Sequence, residues 1–215
     1  MKNFKKILAI GAHYDDLELG CGGTLAKLIK NGSKVTVVII TDSEIKDEKN
    51  KIIRSKKTAK LEGQNGLNAL GLKNIISLNY KIFDLKKNSK KILNQLNKIC
   101  AQNKFDTLFT HWIDDAHIDH HEIAKLSIWI SRKIDNVFHY RSNYYKSNKE
   151  FVENYYFDIS NVLKKKEKAL MEHKSEMKRT KFKWFNFFIN KCKNDGIKIG
   201  TKAAEAFYSS KIISK

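Results

Sequence analysis

The run Lys34–Thr41, KVTVVIIT, constrains the fold more than any other segment. Val and Ile fill both alternating faces, so a strand made from it needs cover above and below, which a parallel sheet flanked by helices supplies. The flanking segments keep that rhythm. Residues 4–10 read as a first strand and 23–31 as a helix, stopped by Asn31-Gly32-Ser33. Residues 48–70 form a long polar-faced helix closed by Gly71. Strands follow at 75–78, 107–110 and 137–140, with helices at 89–101 and 120–130. Beyond Tyr144 the pattern weakens, although 159–171 and 178–192 read as helices. The expectation is an α/β, Rossmann-like fold, with a mostly parallel sheet and helices on both faces, in a single domain over residues 1–215.

In such sheets, sites form at the carboxyl ends of strands. Two polar segments fall there. The first is Gly11-Ala12-His13-Tyr14-Asp15-Asp16 with Gly20-Cys21-Gly22-Gly23 behind it. A histidine and two acids directly after a buried strand are costly unless they bind something. His13 and Asp16 can converge on one ion while Asp15 points elsewhere and serves as a base. The glycines do not follow the dinucleotide-binding spacing.

The second segment runs from His111 to His121 and holds four of the seven histidines and three acids, Asp114, Asp115 and Asp119. A catalytic zinc takes three protein ligands and leaves a position for water. His13, Asp16 and His120 are assigned as that set, one ion per chain. His121 competes with His120, because neighbouring residues at a helix start point in different directions. Arg141 follows a strand and is read as a clamp on a substrate phosphate or sugar hydroxyl.

The formal charge of +19 suits anionic partners, yet only four of 42 cationic residues are Arg, and the lysines are dispersed. Nucleic acid is therefore disfavoured. Cations alternate with aromatics over 178–189, a pattern compatible with peripheral contact to an anionic membrane. Three cysteines without paired spacing argue against a disulfide framework or a Cys-zinc site. The opening residues carry only a short apolar run, so the cytoplasm is the expected compartment.

Together, Ala12-His13-x-Asp15-Asp16, Gly20-x-Gly22-Gly23 and His117-x-Asp119-His120 resemble the PIG-L/LmbE family of metal-dependent N-deacetylases. Leu70-Gly71, His173-Lys174-Ser175 and Glu205-Ala206-Phe207 are similar to its lesser landmarks. The resemblance implies zinc and hydrolysis of an N-acyl, usually N-acetyl, group on an amino sugar, free or carried on a nucleotide or lipid. It implies Asp15 as general base, His117 as oxyanion stabiliser or acid toward the leaving amine, and Asp119 orienting His117. Two positions depart from the family. Tyr14 replaces a proline and is expected to present its hydroxyl to substrate, and His173 sits in a looser version of its motif. The competing readings are a non-catalytic basic metal-binding protein and a metal-dependent phosphoesterase, the latter expected to hold two bridged ions.

Overall fold

The computed structural model describes residues 4–214; Met1, Lys2, Asn3 and Lys215, which the 1–215 domain expectation includes, lie outside them. The strand β1 (Lys6–Gly11) leads into the short helix α1 (Asp16–Gly20) and then α2 (Gly22–Lys30). β2 (Lys34–Thr41) spans the residues whose pattern announced it. A small antiparallel hairpin follows, β3 (Ile45–Lys46) and β4 (Ile52–Arg54), before α3 (Lys56–Leu70). The helix expected over 48–70 is thus shorter: Ser55 takes an extended conformation and its side chain accepts the Thr58 N–H, which caps the helix there.

The chain continues with β5 (Asn74–Tyr80), α4 (Leu85–Asn103), β6 (Thr107–His111), α5 (Ile118–Ile130) and β7 (Asn136–Tyr140). After β7 come β8 (Tyr155–Asp158), α6 (Leu163–Met171), α7 (Lys174–Arg179), α8 (Lys183–Lys198) and β9 (Ala204–Ile212). The seven-stranded sheet has the order β5-β2-β1-β6-β7-β9-β8. The first five strands are parallel, whereas β9 runs antiparallel to both β7 and β8.

Alternation along the strands divides the core. Ile7, Ala9, Val37, Ile39, Phe109 and Phe138 face one layer with α2, α3 and α6; Leu8, Ile10, Val38, Ile40 and Leu108 face the other with α4 and α5. Among the described residues, no helix is long and apolar enough to cross a membrane. In the aromatic segment, Phe188 and Ile189 are buried against Leu19 and Leu170, while Phe182 and Phe187 stay exposed. Cys21, Cys100 and Cys192 are free thiols.

Candidate functional site

β1 and β6 are neighbours at the point where strand order reverses, the usual position of a site in an open parallel sheet. The loop leaving β1 carries His13, Asp15 and Asp16; the loop leaving β6 and the first turn of α5 carry His117, Asp119 and His120. His13 Nδ1 lies 3.3 Å from Asp16 Oδ2, His120 Nε2 lies 3.1 Å from Asp16 Oδ1, and the two ring nitrogens are 3.3 Å apart. Ligand atoms bound tetrahedrally to zinc stand about 3.3 Å from one another, given bonds of about 2.0–2.1 Å. The two ring nitrogens, each with a different oxygen of the Asp16 carboxylate at this spacing, make a triangle that suits one divalent ion.

Two other sets of donor atoms lie within 4.8 Å of each other: His13, His117 and His120, and Asp16, His111 and His120. In the second, His111 Nε2 also accepts the Ala12 N–H at 3.0 Å; in the first, His117 Nδ1 accepts the Asp119 N–H at 3.3 Å, which leaves Nε2 as its ligand atom. His121 is engaged elsewhere, its Nδ1 contacting the Ile113 carbonyl, and it joins neither of these sets.

Each histidine of the triangle has a carboxylate behind it. His13 Nε2 donates to Asp119 Oδ2 at 3.1 Å, and His120 Nδ1 faces Asp115 Oδ1 at 3.3 Å. This arrangement fixes the tautomer and leaves the inner nitrogen for a metal. Ser142 donates to Asp16 Oδ1 at 2.8 Å, and Asn143 donates to Asp115 at 2.6 Å. Burial opposes the charged forms of His13 and His120, but Asp16 with Asp119 or Asp115 outweighs it, carrying them to about 10 and about 9. Metal ions displace such protons when they bind.

Asp15 stands outside the triangle. Its backbone is at φ 136°, a strained value for a side chain with a Cβ. Burial and the adjacent Asp16 push its pKa up to about 7, against the pull of Arg54 and His173. Arg54, from the hairpin strand β4, lies 3.3 Å from Asp15 Oδ2 and 3.4 Å from Glu62, and its Nη2 is 3.2 Å from His173 Nδ1. His173 in turn meets Glu18 at 3.0 Å. Sequence reasoning missed Arg54 and Asp115 as parts of the site. The scarcity of arginine was a usable signal for Arg54; for Asp115 only its place in the acidic loop hinted at a role.

The carboxylate of Asp119 is not the partner of His117 that the sequence suggested. It is committed to His13 and to the Phe83 N–H, so His117 is oriented by the Asp119 backbone instead. With Nδ1 accepting, neutral His117 carries its proton on Nε2. Burial, with His120 and His13 nearby, lowers its pKa to about 3, so it is a neutral donor.

A cavity of about 310 Å³ opens onto the triangle, lined also by Lys46, Phe83, Asn143, Tyr145, Arg179 and Trp184. Neither expected substrate contact reaches it. Tyr14 is buried, its hydroxyl 2.5 Å from Ser77 Oγ, and its ring packs so closely on α3 that a Cβ at Gly63 would lie 2.3 Å from it. Arg141 turns away to the Tyr145 carbonyl and Asn143, over the Trp112 ring, and so braces the loop 141–145.

Residues 8–130, which hold both site loops, match the family PIG-L: GlcNAc-PI de-N-acetylase. The uncharacterized deacetylase YaiS of Escherichia coli (strain K12) is 30% identical over 183 residues, covering 80% of this chain and 91% of YaiS. Among solved structures, the N,N'-diacetylchitobiose deacetylase from Pyrococcus horikoshii aligns with a TM-score of 0.79 at 26% identity, over 96% of this chain and 84% of its own. The 4-carboxy-2-hydroxymuconate hydratase GalB from Pseudomonas putida KT2440 aligns at 0.76 but only 15% identity, over 98% of both chains, a likeness of fold alone. The family match and the deacetylase relatives, taken with a His/Asp triangle and a spare acid beside it, identify the chain as an enzyme belonging to the PIG-L family of de-N-acetylases.

Proposed function

We propose that the protein hydrolyses the N-acetyl group of an amino sugar or sugar conjugate, with one zinc ion held by His13, Asp16 and His120. The observation that carries this reading is the 3.1–3.3 Å triangle with Asp15 left outside it. Zinc in that position would polarise the acyl carbonyl and bring a water's pKa to about 7.

The chain's own groups account for the remaining chemistry. Asp15, with a pKa near neutrality, takes the proton of the attacking water. Arg54 fixes the carboxylate that does so. The His117 Nε2–H donates to the carbonyl oxygen as negative charge gathers there, which is where a neutral, fixed donor helps most. A neutral imidazole is a poor acid, so protonated Asp15 returns its proton to the departing nitrogen. Water and amide thus give acetate and a free amine. Lys46 and Arg179 line the cavity, each already paired with an acid, Glu44 and Glu176, so they do not select between a free sugar and one on an anionic carrier.

Release of primary amine from N-acetylglucosamine and from nucleotide-linked N-acetyl sugars tests the reading. Activity is expected to vanish with a chelator and return with zinc. Amine release that a chelator leaves untouched, or none on any such sugar, would overturn it.

A further inference from the structure

Phe83 unites features that ordinarily exclude one another. It lies in the loop between β5 and α4, with its backbone at φ 63°, a left-handed value seldom adopted by bulky residues. The residue is 62% exposed, so the strain is not compensated by burial. What holds it is Asp119, whose carboxylate accepts the Phe83 N–H at 2.9 and 3.1 Å while also accepting the His13 Nε2–H. The ring lies parallel to His117, with centroids 5.6 Å apart and planes 20° from each other, and lines the cavity. Strain of this kind persists where surrounding structure overdetermines it, and it gathers at ligand sites.

A phenyl ring has no hydrogen-bonding group. It offers a flat face carrying the negative part of its quadrupole. The complementary partner is a flat apolar face with partial positive charge, which the axial C–H bonds of a pyranose ring present. Position selects that part of the substrate. The acyl carbon must reach the buried end of the cavity, between the triangle and His117, so the sugar extends toward the solvent end, where Phe83 stands.

We propose that Phe83 is a specificity-determining platform, holding the pyranose face of the substrate beside His117 and set in place by Asp119. The proposal rests on the deacetylase reading for the identity of the reacting group. Asp119 thereby serves both ends of the site, fixing a histidine of the triangle through Oδ2 and the sugar platform through both oxygens.

Saturation-transfer NMR with N-acetylglucosamine and with a uridine-linked N-acetyl sugar tests the platform apart from turnover, using zinc-loaded protein in which Asp15→Asn blocks hydrolysis and position 83 is wild type, Phe83→Ala or Phe83→Trp. The pyranose ring protons are expected to receive saturation in the wild type and in Phe83→Trp and to lose it in Phe83→Ala. Zinc content and melting temperature should stay unchanged, as suits an exposed side chain. In steady-state assays with Asp15 intact, KM should rise roughly tenfold in Phe83→Ala with kcat retained, the scale of one lost aromatic contact. Undiminished saturation in Phe83→Ala, or none in the wild type, would overturn the platform. So would transfer only to the base of a uridine-linked sugar. Saturation that depends on Phe83 in a protein that releases no amine even with Asp15 intact would keep the platform and remove the deacetylase reading.

Discussion

Asp15 bears the sharpest predictions at the level of single residues. Asparagine keeps its shape but cannot take a proton, so Asp15→Asn should lose roughly 10²–10⁴-fold in kcat, the usual weight of a general base. Its zinc content, measured by atomic absorption, should stay at one per chain, because the triangle is intact. The sign of the pH dependence follows from the same group. Asp15 acts as the carboxylate and is held at about 7 without an ion, and a cation nearby favours the charged form and lowers that value. Activity should therefore fall as pH drops through a limb at or below about 7. Arg54 pulls in the same direction as the cation, so Arg54→Gln should move the limb of kcat/KM upward. A limb that stays put would mean that Arg54 does not act on Asp15. His13 and Asp16 were readable as part of the segment that follows β1, and His120 as part of the segment that follows β6, two strands that lie side by side where the order reverses. Arg54 was not, since it arrives from a two-stranded hairpin whose path nothing local dictates. Tyr14 misled because spacing says nothing about χ angles: only the glycine opposite, Gly63, reveals where the ring goes.

Elements joined late in the chain hold the site loop from behind. The carboxylate of Glu205, on β9, accepts the Gly23 and Thr24 N–H groups at 2.9 and 2.6 Å, filling the first turn of α2. Lys166, buried in α6, donates to Glu205 at 2.5 Å and to the Leu19 carbonyl at 2.7 Å. Removing one member of a buried ion pair strands the other, which costs about 3–5 kcal/mol. Glu205→Ala should therefore unfold at markedly lower urea, whereas the pair Glu205→Gln with Lys166→Met should recover much of the loss. Equal midpoints for both variants would show that the pair is not coupled. The parallel strands were readable because apolar runs on both faces have no other use. β8 and β9 were not, since β9 mixes Glu205, Ser209 and Lys211 with small residues and is specified by its neighbours in the sheet rather than by its own periodicity.

For the whole molecule, metal and stability are linked. An ion that binds only the folded chain stabilises it by RT ln(1 + [L]/Kd), about 2.7 kcal/mol at a hundredfold excess over Kd. Calorimetry should show Tm rising with added zinc in the wild type and hardly at all in His13→Ala; equal rises in both would relocate the metal. The formal charge of +19 carried no such information, because the basic residues are dispersed while the chemistry gathers in a few buried groups. The order in which the sheet is assembled has a further consequence. Its parallel strands and both loops of the site are made first, yet β9 slots between β7 and β8 and delivers Glu205 to the helix behind the first loop. On the ribosome, a growing polypeptide would carry the groups of both loops before β9 brought Glu205 to the helix behind the first of them. Competence would then wait for β9 to take its place between β7 and β8.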